Sequence, residues 1–195
     1  MKKINLLFRF ALLGFTTFFL SGCAFSVDKE NLNYSYTGQI FTAASGNKSI
    51  SVGTIIDRRI ESNPNMILHK SNQYGSTTGG WEAEKPIAEI VADGLRQALK
   101  SRQIGSSPDF ELGGSVESLA CGTRMGFMTG EFIVRLEVKL SLHDLKTGEL
   151  VWSESFTGQA DIPTTGDYIH DGFTKALDDL ISQLKDSETF AKALK

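Results

Sequence analysis

Cysteine is nearly missing from this chain. Cys23 and Cys121 are its only two in 195 residues, too few for the disulfide framework that staples small exported domains. Histidine is scarce as well: no two of His69, His143 and His170 stand at a metal-ligand spacing such as i, i+4, and no metal site is expected. No apolar run reaches the roughly 20 residues of a spanning helix; the longest, Phe10 to Leu20, has 11. A basic excess is also missing, since the formal net charge is −3, and nucleic acid, which demands a concentrated basic patch, is excluded as a partner. Gly75 to Gly80 lacks the Gly-Lys-Ser/Thr ending of a phosphate loop and is followed by the acidic Glu82. Ser115, Ser153 and Ser155 have no Gly-x-Ser-x-Gly elbow around them. His143-Asp144 and His170-Asp171 are sequence neighbours whose side chains point apart in any regular element, and they read as surface pairs rather than catalytic dyads. Asp57-Arg58-Arg59 reads as a capped turn with solvated arginines, not an anion site. These absences leave no catalytic constellation, so no enzyme activity, no cofactor and no metal are expected.

What is present begins near the first residue. Lys2, Lys3 and Arg9 precede the apolar run, and Leu20-Ser21-Gly22-Cys23 closes it, the anatomy of an export signal of 1–22. A cysteine directly after small residues resembles the lipobox of bacterial lipoproteins. That resemblance implies that Cys23 receives a diacylglyceryl group, that the chain is cut before it, and that the new amine is acylated. Several acyl chains on one residue hold a protein stably to a membrane, where one would hold it only marginally. Ala24, in place of the aspartate that retains such proteins in the inner membrane, implies the outer membrane, facing the periplasm. Removing residues 1–22 leaves 17 basic against 23 acidic residues, a mildly acidic product. With Cys23 acylated, Cys121 has no partner within the chain; it is either buried, the default for a free cysteine, or open to an intermolecular bond.

Residues 23–48 are polar and small and read as a tether, with Tyr34, Tyr36, Ile40 and Phe41 as exceptions suited to an edge strand or a cover on the core. One domain is expected over 49–195. Ile50 to Arg59 reads as a first strand, and Ile60 to Trp81 as a long polar loop with a short strand at Met66-Ile67-Leu68. Pro86 opens a helix whose apolar face is Ile87, Ile90, Val91, Leu95 and Leu99. Phe110 to Leu119 is a second strand. Phe132, Val134, Leu136, Val138, Leu140 and Leu142 alternate with polar residues as in a half-wet antiparallel strand. Leu150 to Thr157 returns beside it, with Leu150, Trp152 and Phe156 on one side. Asp167, in competition with Thr165, caps a last helix with Ile169, Phe173, Leu177, Leu180 and Leu184 on one face. A short frayed helix follows Asp186.

This order predicts an α+β, two-layer sandwich: a mostly antiparallel sheet of 4–5 strands with two amphipathic helices on one face. The other face, with Arg135, Glu137, Lys139, Ser153 and Ser155, is left for solvent or a partner. Met125, Phe127 and Met128, in the 121–130 connection, form the first candidate contact surface, because soft apolar side chains adapt to a partner. Closing the end of the core is the competing role for them. Trp81 is the second candidate.

The lipobox, Val52 to Arg59, Leu95-Arg96-Gln97-Ala98-Leu99, the Val134–Leu142 strand, Thr147-Gly148 before Val151-Trp152, and the Ile169–Leu184 helix together make the chain resemble the YajG-like family of uncharacterised lipoproteins. That resemblance implies an α+β periplasmic domain on the outer membrane and brings no catalytic residues. The expected function is a lipid-anchored binding or scaffold module of the cell envelope, docking envelope proteins or peptidoglycan. The alternative is an auxiliary lipoprotein of an envelope lipid-transport system, which requires an apolar groove between helices and sheet. A periplasmic hydrolase would need a nucleophile and base that the sequence does not show.

Overall fold

The computed structural model describes residues 26–38, 41, 48–71, 74–100, 107–126 and 130–195. The elements run β1 (Ser26–Glu30), β2 (Ile50–Asp57), β3 (Met66–Ser71), β4 (Thr77–Ala83), α1 (Ile87–Ala98), β5 (Phe110–Met125), β6 (Gly130–Asp144), β7 (Leu150–Pro163), α2 (Tyr168–Asp186) and α3 (Glu188–Ala193). They form an α+β fold with two sheets. One has the order β2-β5-β6-β7, with β2 parallel to β5 and the rest antiparallel; the other has the order β1-β4-β3, with β1 parallel to β4.

The four-stranded sheet follows from its alternation. Every even-numbered residue of β6 from Phe132 to Leu142 is fully buried, while the odd ones are half-buried or exposed, as the two-residue period of a strand requires. On β7, Trp152, Phe156, Ala160 and Ile162 fill the same layer. α1 and α2 lie on that inner face with Ile87, Val91, Leu95, Phe173, Leu177 and Leu180 buried. Contact between α2 and β7 is so close that a Cβ at Gly158 would stand 1.9 Å from the Ala176 carbonyl oxygen. Only glycine fits there. Asp167 caps α2 by accepting from the His170 amide at 3.4 Å, whereas Thr165 makes no cap. α3 closes the far end, where Phe190 meets Trp152 at 4.9 Å and Phe41 at 6.3 Å between ring centres.

Four sequence expectations change. First, the described part of 23–48 is not a spacer. Ser26–Glu30 pairs in register with Gly79–Ala83, and the next residues cross the helices as a strap. Leu32 and Phe41 are buried, the Tyr34 hydroxyl donates to Asp178 at 2.5 Å, and the Tyr36 amide donates to Gln97. Each apolar residue enters its own gap between helices, so no period shows in the sequence. Second, most of the long loop is a β3–β4 hairpin. Its second strand is disguised by glycine, and Gly79 is needed because a Cβ there would lie 2.1 Å from the Ser26 carbonyl oxygen. Third, β5 continues through Cys121 to Met125, opposite Gly130, so the connection shrinks to 126–129. A bulge between Val116 and Ser118 puts both Val116 and Leu119 opposite inner residues of β6, Val138 and Leu136, and that irregularity hid the strand's length. Fourth, Leu150 does not share the side of Trp152: a register shift between Leu142 and His143 leaves it exposed.

The molecule has two distinct ends. The β6–β7 turn, the C-termini of α1 and α2, and α3 lie at one, where Leu145 donates its amide to Asp109 and Phe41 donates to Ala98. The N-termini of both long helices lie at the other. The three-stranded sheet is joined there: the Ile87 amide, at the start of α1, donates to the Pro64 carbonyl just ahead of β3.

Candidate docking face

The uncovered face of the four-stranded sheet carries the most open arrangement of functional groups. Register sets two rows across it: Ile56, Ser115, Lys139 and Ser155, then Gly113, Ser141 and Ser153. Small residues in the middle of both rows leave a shallow groove of about 340 Å³, bordered by Ile56, Arg58, Lys139, His143 and Leu150. Ile56, Leu150 and Val151 are 44 %, 56 % and 41 % exposed, a cluster of aliphatic surface beside two cations. Among the described residues neither Arg58 nor Lys139 has a carboxylate partner within ion-pair distance. Ser115 is buried and donates its hydroxyl to Glu117. His143 makes no hydrogen bond to Ser115, Ser141 or Ser153 among the described residues, so the groove offers binding groups and no nucleophile–base pair.

A second cleft, about 440 Å³, separates β3 from the distal half of β5. The side chain of Arg59, expected in solvent, is instead buried and builds its wall, because its guanidinium is fully engaged. The guanidinium donates from Nε and Nη2 to the two Asp57 oxygens at 3.0 and 2.8 Å, and to the Met66 and Pro64 carbonyls at 2.7 and 2.9 Å. Burial alone would raise Asp57, but the hydrogen bonds and charge of Arg59 outweigh it and hold the carboxyl below its usual range. Cys121 lines this cleft, half-buried, its thiol pushed up to about 12 by burial. It is protonated at neutral pH and is a packing residue, not a nucleophile. His69 meets Glu61 at 2.6 Å on the exposed rim. The hydrogen bond from the Asn63 amide, then that from His69, lowers Glu61. His170 lies 3.4 Å from Asp171. Among the described residues no group of three or more His, Cys, Asp or Glu is placed to hold a metal.

Of the residues singled out from sequence, Cys23, Phe127 and Met128 lie outside the described residues, as does the Met125 side chain. Trp81 is half-buried in β4, with Lys70 Nζ 4.0 Å from its ring centre and Lys70 in turn paired with Asp28. That cation covers one face of the ring. Sequence reasoning missed Ile56, Leu150 and Val151. The signal available was Ile55-Ile56, since adjacent residues of a strand cannot both face the core.

No family model matches the chain, and no curated protein matches it by sequence. Solved structures do match it in shape. A protein of the DUF330 family from Xanthomonas campestris superposes with a TM-score of 0.55 at 13% identity, covering 86% of this chain and 96% of its own. Weaker matches include a Neisseria meningitidis lipoprotein, with a TM-score of 0.31 at 15% identity over 72% of this chain and 99% of its own. A minor lipoprotein from Acinetobacter baumannii matches with a TM-score of 0.38 at 14% identity over 54% of this chain and 87% of its own. The chain thus shares its fold with a DUF330 protein.

Proposed function

We propose that this chain is a lipid-anchored lipoprotein on the periplasmic side of the outer membrane. In that place it acts as a non-catalytic docking module for envelope proteins or peptidoglycan. The carrying observation is the pairing of Leu20-Ser21-Gly22-Cys23 with a domain that starts almost at once, at Ser26. The YajG-like resemblance points the same way. The uncovered sheet face, with Ile56, Leu150 and Val151 beside Arg58 and Lys139, supplies the contact. Aliphatic area beside cations that have no carboxylate partner among the described residues suits a partner segment that is apolar and acidic. Met125, Phe127 and Met128 remain a second proposed contact. The lipid-transport reading needs an apolar groove under the helices. That interface is filled where α2 meets β7 at Gly158, and the 290 Å³ cavity beside α1 is lined by Asn31, Asn33, Asp93, Arg96 and Gln97 among others.

In-cell photo-crosslinking tests the proposal, with the probe at Ser153 on the open face or at Lys175 on the exposed side of α2. A discrete adduct from Ser153 alone, lost in Cys23→Ser, is expected. Equal adducts from both positions, or none from Ser153, would refute the docking face.

A further inference from the structure

We infer that the turn end of the three-stranded sheet rests on the lipid surface, so that this sheet is a foot between the membrane and the four-stranded sheet. This rests on the proposed acylation of Cys23. Ser26 is paired with Gly79, at the end of the sheet nearest the β3–β4 turn, whereas Glu30 is paired with Ala83 at the end joined to the body. Cys23 precedes Ser26 by three residues. A chain spans at most ~3.6 Å per residue, so the two Cα atoms lie within about 11 Å. Acyl chains at Cys23 are buried in the bilayer, and the anchor therefore leaves no room for a spacer. The hairpin turn beside Ser26 must lie at headgroup level.

The chemistry of that turn fits a lipid surface. Tyr74 is 83 % exposed there, and tyrosine favours the membrane interface because its ring is apolar while its hydroxyl stays wet. From Tyr74 to Gly80 there is no charged residue, although the mature chain as a whole is acidic, so nothing in the segment is repelled by anionic headgroups. Behind the turn, Lys70 is neutralised by Asp28 and Lys29 by Glu82. The β6–β7 turn, with Leu145 exposed, lies at the opposite end of the molecule. From Arg124 opposite Glu131 to Phe110 opposite Asp144, the β5–β6 ladder takes in residues 110–124 of β5, about 45 Å at the rise of a strand.

Quenching by acyl-chain-brominated lipid tests this on full-length protein, purified from membranes and reconstituted in phosphatidylethanolamine–phosphatidylglycerol vesicles. Tryptophan is added by Tyr74→Trp or by Thr147→Trp, and each is read against the parent, which has Trp81 and Trp152. Emission added at position 74 is expected to fall about twofold, as for an aromatic at the interface, with emission at 147 unchanged. No quenching at 74, or equal quenching at both, overturns the inference while leaving the anchor standing if intact mass shows acylated Cys23. An unacylated Cys23 overturns both readings.

Discussion

Gly158 decides how closely α2 approaches the sheet. A methyl group there would meet the Ala176 carbonyl and, at 2.9 Å, Leu180 Cβ, neither of which is the free end of a flexible side chain. Gly158→Ala is expected to lower stability by about 2–3 kcal/mol, the upper range for overpacking, read as a drop in the urea midpoint. Glu30 shows a different stress. Burial, then the charge and hydrogen bond of Asp167, raise its pKa above the ordinary 4.5, with His170 opposing. The folded state therefore holds the Glu30 proton more tightly than the unfolded chain does. The resulting stabilisation is complete below 4.5 and is lost as pH rises through the raised folded value. Glu30→Gln should consequently raise Tm at pH 7 and leave it nearly unchanged at pH 4. A Tm difference independent of pH would contradict this.

Among the elements, the strap from Asn31 to Phe41 ties β1 to the helices, and Tyr34 is its main fastening. Its ring stands against Gly94, where a Cβ would lie 2.9 Å from Cε1. Burial and Asp178 keep its hydroxyl protonated. Tyr34→Phe removes that hydroxyl and should cost about 1.5–3 kcal/mol, the range for a bond to a charged acceptor. Amide exchange across 31–36 should accelerate more than exchange in β6; uniform acceleration would show that the strap has no separate role. β6, β7, α1 and α2 were legible in the sequence because each has one buried face and a regular period. The strap was legible only in part: Tyr34, Tyr36 and Phe41 stood out as a cover for the core, as did Ile40, which lies outside the described residues, but without a period their path did not show, and β4 was hidden by the glycines that β1's approach requires. β5 lost its alternation at one bulge. Of the docking face, Lys139 and Ser153 were legible on the wet side of two strands. Ile56 was signalled only by its neighbour Ile55, and Leu150 was not legible, because its exposure depends on a register shift that only pairing reveals.

As a whole the molecule has a small sheet close behind Cys23, the residue proposed to be acylated, and a longer sheet with one face left open. Losing residues 1–22 removes three basic groups, so the mature chain is acidic and gains little from anionic headgroups by charge alone. On the proposed reading, attachment to the membrane therefore comes from the acyl chains at Cys23. Intact mass spectrometry of the protein extracted from outer membranes tests this most directly. We expect one species beginning at Cys23, with a diacylglyceryl thioether and an amide-linked acyl chain. A chain retaining residues 1–22, or one with a free thiol at Cys23, would contradict the anchored module proposed for this fold.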